Sequence, residues 1–142
     1  MIQLVKFTYE NAELREQAFA VRRIVFVEEQ GVDAALEYDE NEATAHHYLL
    51  YLDSVPVGAA RWRETPNGIK LERFAVLLQY RGKGLGDVLV KKVLEDVVPI
   101  GLTVYLHSQL KACSLYRRNG FVEEGAIFVE AGIEHYKMVL AL

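Results

Sequence analysis

The chain has 142 residues, 51% of them hydrophobic and 25% charged, enough to bury a sizeable core in one domain spanning 1–142. A formal charge of −4 disfavours nonspecific nucleic-acid binding, and no apolar run reaches membrane-spanning length. The lone cysteine, Cys113, excludes an intramolecular disulfide; with no signal peptide visible, the expected location is cytoplasmic.

Residues 2–7 alternate weakly, as a first strand does. Over 12–29 apolar residues recur at three and four, which predicts one helix that stops near Gly31. Between Arg23 and Arg61 there is no Lys or Arg, while Glu28, Glu29, Asp33, Glu37, Asp39, Glu40, Glu42 and Asp53 all fall there. This segment reads either as a solvated loop or as an acidic rim that attracts a cationic amine. Strands follow over 47–52 and 55–63, joined at Asp53-Ser54. Thr65-Pro-Asn-Gly68 then turns the chain into a central strand over 69–77.

Next comes Arg81-Gly82-Lys83-Gly84-Leu85-Gly86-Asp87, which opens a helical pattern over 84–98 ended by Pro99 and Gly101. Leu85, Leu89, Val93 and Val97 form one stripe, and Asp87, Lys91, Lys92, Glu95 and Asp96 share the opposite face, so this is an amphipathic helix on a sheet. A glycine turn at a helix N-terminus offers unpaired N–H groups and a favourable dipole to an anion. It reads as a phosphate cradle, with a ligand-free β-to-α turn as the alternative. The spacing Gly-x-Gly-x-Gly is neither the dinucleotide fingerprint nor the nucleotide P-loop. A strand over 102–106, a helix over 109–119 capped by Gly120, and strands over 121–129 and 134–140 complete a mixed α/β chain built around one sheet. The glycine-loop helix crosses between neighbouring parallel strands.

Gln79-x-x-Gly82-x-Gly84, and equally Arg81-x-x-Gly84-x-Gly86, resembles the pyrophosphate loop of the GNAT superfamily of acyl-CoA-dependent N-acyltransferases. Gln109-x-x-Ala112-x-x-Leu115-Tyr116-x-x-x-Gly120-Phe121 resembles that family's second signature, with Gln109 where many members carry Asn. Val21-Arg22-x-x-Val25-Phe26-Val27-x-Glu29-Gln30 and Glu130-Ala-Gly-Ile-Glu-His-Tyr-Lys-Met138 look like a small bacterial branch; acyl-homoserine-lactone synthases share part of the first. The resemblance implies a mostly antiparallel twisted sheet of about seven strands with about four helices. It implies acetyl-CoA as acyl donor, with the main chain of Phe74, Ala75 and Val76 pairing with pantetheine and Gln109 beside it. Gly82, Gly84, Leu85, Gly86 and Asp87 would hold the pyrophosphate, with Arg81 and Lys83 supplying positive charge. It also admits a homodimer.

Attack of an amine on an acyl thioester needs no covalent enzyme intermediate, and neither a Gly-x-Ser-x-Gly elbow nor an evident activator of Cys113 occurs. It does need a base, because an alkyl ammonium with a reference pKa of about 10.4 is charged at pH 7. It also needs a donor for the oxyanion and a proton for the departing thiolate. Tyr116, which matches the signature tyrosine, is the expected acid, against a packing role. Glu72 on the central strand is the expected base, against an ion pair with Arg73 or Arg61; Glu29 is the next candidate. Arg22, Phe26, Glu29 and His135 are weaker acceptor-side candidates, and a structural role suits His135 equally. Adjacent His46 and His47 face opposite sides of a strand, and no metal is expected. The expected reaction is transfer of acetyl from acetyl-CoA to a primary amine of a small molecule, the acidic segment favouring a cationic acceptor. Protein amines stay open, as does an amino-sugar phosphate that the charge pattern does not support, and the rivals are a silent acyl-CoA-binding module and, more weakly, a nucleotide-binding one.

Overall fold

The computed structural model describes residues 1–141. Its elements are β1 (Ile2–Phe7), α1 (Ala12–Arg22), α2 (Ala34–Glu37), β2 (His46–Leu52), β3 (Val55–Thr65), β4 (Gly68–Val76), α3 (Leu85–Val97), β5 (Val104–Gln109), α4 (Cys113–Arg118), β6 (Phe121–Glu130) and β7 (Ile133–Leu140). The strands form one seven-stranded sheet in the order β1-β2-β3-β4-β5-β7-β6. Every neighbouring pair is antiparallel except β4 and β5. Helix α3 makes the crossover between those two parallel strands, as its amphipathic stripe predicts.

Two apolar layers hold the sheet. On one face Leu85, Leu89, Val90, Val93 and Val97 of α3 are buried against Leu50, Trp62, Ile69, Leu71, Leu106 and Met138. On the other, Ala18, Val21, Val25 and Phe26 pack on Phe7, Leu49, Ala59, Ala75 and Leu77. Leu89 and Val93 are fully buried, and truncating such a leucine to alanine typically costs about 2–5 kcal/mol. The turn into β4 depends on Gly68, where a Cβ would lie 2.2 Å from the Thr103 carbonyl oxygen.

Some boundaries differ from the sequence expectation. The helix expected over 12–29 is α-helical only to Arg22 and continues as a π-helical segment, Arg23–Glu29. That stretch includes Ile24, Val25 and Val27, β-branched residues that crowd an α-helical turn. The helix expected over 109–119 begins as a 3-10 turn, Leu110–Ala112, because no side chain caps it and the free N-terminal groups are met by tightening. Strand β5 starts at Val104 rather than Leu102, because Gly101 is left-handed and the Thr103 carbonyl accepts from the Ile69 N–H.

Candidate active site

The sheet opens in its middle. Pairing of β4 with β5 covers only Ile69–Leu71 against Val104–Leu106. Beyond it β4 runs on to Val76 beside β3 alone, and β5 runs on to Gln109 beside β7 alone. A cavity of about 460 Å³ fills the wedge, walled by Glu72 to Val76 on one side and His107, Ser108 and Gln109 on the other. A bulge sets the β4 wall. Ala59 faces Ala75 but Arg61 faces Glu72, and Arg73 takes φ 59°, a left-handed conformation costing a non-glycine residue about 1–2 kcal/mol. The extra residue sends consecutive Glu72 and Arg73 to the same face, where both meet the ion pairs described below. Phe74 is turned to the other, edge-on to Tyr116 with ring centroids 6.0 Å apart.

A second cavity of about 310 Å³ adjoins the first across Phe74, Ala75, Val76, Arg81, Ala112 and Tyr116. Gly82, Gly84, Leu85, Gly86 and Asp87 line it, together with Leu115 and Arg118. Gly84 caps α3 with φ 77° and offers no side chain, so the N–H groups of the first turn face outward. Added side-chain atoms at Gly82 or Gly84 would point into open space, so it is their positive φ that calls for glycine. Asp87 is engaged by Arg118 at 3.1 Å and by Asn119 at 3.1 Å, which brings to the cavity edge a cation the sequence reading missed. Lys83 is exposed on the loop.

Tyr116 stands at the junction. Its ring is 7% exposed and walls both cavities. Among the described residues nothing hydrogen-bonds its hydroxyl, and none of their buried side-chain polar atoms lacks a partner, so the hydroxyl opens to the cavities. Burial pushes the phenol pKa up, which keeps it a proton donor at neutral pH.

The acidic segment divides: Glu28, Asp33, Glu40 and Asp53 are exposed as a solvated loop would have them, while Glu37, Asp39 and Glu42 turn inward. Glu37 and Glu42 are 2% and 4% exposed. Arg22 donates from Nε to Glu37 at 2.7 Å and from Nη2 to Glu42 at 2.6 Å; Arg61 donates to both Asp39 oxygens at 2.9 and 2.8 Å. Burial would raise the Asp39 carboxyl, but the bonds from Arg61 hold it at about 2. Arg22, expected near the acceptor, is 1% exposed and walls neither cavity; its charge is spent on that buried pair. The carboxylates turn inward because Arg22 and Arg61, from elements far apart in sequence, require partners once buried.

Glu72 lies on the cleft wall, but as a base it is badly placed. Arg61, Arg63 and Lys70 approach its carboxylate at 3.1, 2.8 and 3.4 Å. Burial raises its proton affinity, yet these cations outweigh burial and hold the carboxyl below the usual range. Glu29 is likewise bonded by Arg81 at 2.7 and 2.8 Å, which lowers its proton affinity. The Arg81 charge is therefore neutralised, and its Nε donates to the Val76 carbonyl at 2.8 Å. That carbonyl was an expected pantetheine partner. Gln109 donates to Gln30 at 2.7 Å, tying the end of β5 to the residue after the π-helical segment, and Phe26 walls the larger cavity.

His107 and Glu130 carry more of the site than their sequence positions suggest. Ala131 and Gly132, both at positive φ, make a tight turn that brings Glu130 to the cleft. There Glu130 Oε1 lies 3.0 Å from His107 Nδ1, and the hydrogen bond from His107 holds this carboxyl at about 2. Among the described residues His107 Nε2 has no partner, and the ring walls the larger cavity. His135, 6% exposed, also reaches the cleft, with Nδ1 2.7 Å from the Ile133 carbonyl oxygen. His46 stacks on Trp62, and the His47 Nε2 lies 2.9 Å from the Glu42 carbonyl oxygen. Among the described residues no group of three or more His, Cys, Asp or Glu is placed to hold a metal ion, and no helix is long and apolar enough to cross a membrane.

A sheet split beside a glycine-capped helix is the architecture of acyl-CoA N-acyltransferases. Residues 8–142 match the acetyltransferase (GNAT) domain family, and the chain belongs to it, among acetyl-CoA-dependent acyltransferases. The chain is 37% identical over 131 residues to the uncharacterized N-acetyltransferase YjcF of Bacillus subtilis, covering 91% of this chain and 94% of that one. Its fold is similar to that of Escherichia coli ElaA, with TM-score 0.89, 23% identity and coverage of 99% and 100%. It is also similar to a Bacillus subtilis acetyltransferase in complex with CoA, with TM-score 0.74, 18% identity and coverage of 100% and 99%.

Proposed function

We propose that the protein transfers acetyl from acetyl-CoA to a primary amine of a small molecule. The observation that carries this reading is the Tyr116 hydroxyl, without a hydrogen-bond partner among the described residues, at the junction of the two cavities. In this reading the cavity at the α3 N-terminus takes the pyrophosphate on the N–H groups of Leu85, Gly86 and Asp87. The backbone of Phe74 and Ala75, left without a neighbour where β5 diverges, lies along the pantetheine arm. The bulge at Arg73 turns β4 amides toward the thioester carbonyl, where a developing oxyanion needs donors. Tyr116 protonates the departing sulfur.

The base in this reading is His107 rather than Glu72. Its Nδ1 is oriented by Glu130 while Nε2 is free to accept a proton in the cleft, the arrangement of an oriented imidazole base. Glu72, surrounded by cations, instead fixes Arg61 and Arg63. The acidic-segment residues that reach the cleft, Glu37 and Asp39, are paired with arginines, which withdraws their support from a cationic acceptor.

Thiol release from acetyl-CoA across a panel of alkyl amines tests the reading, with His107→Gln beside the wild type. A positioned base contributes about 10²–10⁴-fold, so the variant is expected to lose at least about 100-fold in kcat with unchanged acetyl-CoA affinity. With hydroxylamine, an acceptor already neutral at pH 7, the loss should be much smaller. Equal losses with both acceptors would remove His107 from proton transfer.

A further inference from the structure

Lys70 has less to bind than any other cation buried along the cleft. Its side chain is 14% exposed, and among the described residues its one ion pair is with Glu72 at 3.4 Å. Among the described residues its ammonium makes no hydrogen bond; because no buried polar atom among them lacks a partner, it opens into the cavity it walls. Directly across the ladder stands Arg63. Like charges in opposed cross-strand positions repel. Arg63 spends Nε and Nη2 on Glu72, at 2.8 and 3.4 Å, and its Nη1 has no partner among the described residues.

The neighbouring carboxylates cannot supply the missing charge. Glu72 also serves Arg61 at 3.1 Å, while Glu37, Asp39 and Glu42 are engaged by Arg22, Arg61 and Arg73. Glu130, which faces the same end of the cleft, is hydrogen-bonded to His107 at 3.0 Å and feels the charge of Lys70 without forming an ion pair with it. Among the residues joined by direct ion pairs, the five cations Arg22, Arg61, Arg63, Lys70 and Arg73 meet the four carboxylates Glu37, Asp39, Glu42 and Glu72, and Arg63 and Lys70 share Glu72 with Arg61. This occurs in a chain whose formal charge is −4.

We propose that Lys70 Nζ and Arg63 Nη1 seat an oxyanion of the acceptor, a carboxylate or phosphate, so that the substrate is a small amine that also carries an acidic group. The inference rests on the acyl-transfer reading above and reverses the cationic preference expected from sequence. A guanidinium edge beside an ammonium suits either anion, since both present several acceptor oxygens to charged donors. The anion would separate two cations that now face each other, and its tether would hold the amine within the cleft that His107 also walls.

The test uses the full chain saturated with CoA, so that the glycine loop is filled, and titrates in three probes by calorimetry. O-Phosphoethanolamine and β-alanine carry the two candidate anions, and ethanolamine carries neither. One or both anionic amines are expected to bind at least about tenfold tighter than ethanolamine, the scale of a charge-assisted hydrogen bond, and whichever binds names the anion. Lys70→Met and, separately, Arg63→Gln should abolish that preference while leaving CoA affinity unchanged, which also shows that the variants fold. Equal binding of all three probes, no binding of either anionic amine, or a preference that survives in both variants would overturn the proposal. Failure of CoA itself to bind the wild type would instead overturn the acyl-transfer reading.

Discussion

The two halves of the cleft are built from different materials. In the cavity at α3 the anion-binding features come from main chain, namely positive-φ glycines, uncapped N–H groups and a strand with one side left open, set among apolar side chains such as Phe74, Leu85 and Leu115. The larger cavity is made of side chains, with arginines, lysines, carboxylates and histidines drawn from α2, β3, β4, β5 and the β6–β7 turn. A backbone-built site is set by local conformation and tolerates change in its neighbours. A side-chain-built site depends on pairings between distant segments, and each lost partner leaves a half-buried charge exposed to low dielectric.

The largest effect should come from breaking the backbone half. Gly84→Val forces a β-branched residue into a left-handed position, costing about 1–2 kcal/mol in stability, and it also misdirects the helix N-terminus. Acetyl-CoA affinity by calorimetry is expected to fall at least about 100-fold, as several charge-assisted bonds are lost together. Urea unfolding should show the chain still folded. Retained affinity would remove the phosphate-cradle assignment.

Tyr116→Phe tests the junction between the halves. Loss of a general acid is expected to lower kcat by at least about 100-fold, with acetyl-CoA affinity changed less than about threefold, because the hydroxyl makes no hydrogen bond among the described residues. A parallel fall in affinity would make Tyr116 a packing residue.

Asp39→Asn probes the side-chain half. The Asp39 carboxyl sits at about 2 where 3.8 is usual, so its ionised form is favoured on folding, worth about 2 kcal/mol. Because the folded value is the lower one, this stability is fully present above about pH 4 and is lost as pH falls toward 2. The variant should unfold in less urea at pH 7, and the gap to wild type should close across that window. A gap that stays constant would mean Asp39 acts by packing rather than by charge.

The smallest effect is expected at Arg81. Its contact with Glu29 is partly exposed, at 35% and 27%, and pairs of that kind contribute at most about 1 kcal/mol. If Glu29 already neutralises this arginine, Arg81→Ala should change acetyl-CoA affinity less than about threefold. A large loss would return Arg81 to the phosphate.

The same division explains what the sequence shows. The succession of elements along the chain, the α3 crossover and the glycine loop follow from periodicity and from Gly82, Gly84 and Gly120, whose demands are local. The inward turn of Glu37, Asp39 and Glu42 was not legible, because 15 to 22 positions separate these carboxylates from the arginines they meet; nothing in Glu37 or Glu42 names Arg22 or Arg61 as its partner. Glu72 keeps its place on the central strand, but its chemistry is set by Arg61, Arg63 and Lys70, whose shared face becomes visible only with the β3–β4 register. The bulge at Arg73 left no sequence signal, since neither glycine nor asparagine marks it. His107 and Glu130 lie on separate strands that meet through β7, so their pairing is a property of topology rather than of any motif.

The most direct test of the central claim is the melting temperature of the wild-type chain with acetyl-CoA, CoA and NAD at matched concentrations. A ligand that binds the native state raises it by mass action. Acetyl-CoA and CoA should each raise it, while NAD, whose fingerprint the loop lacks, should leave it unchanged. No rise with either thioester or thiol, or an equal rise with NAD, would contradict the account.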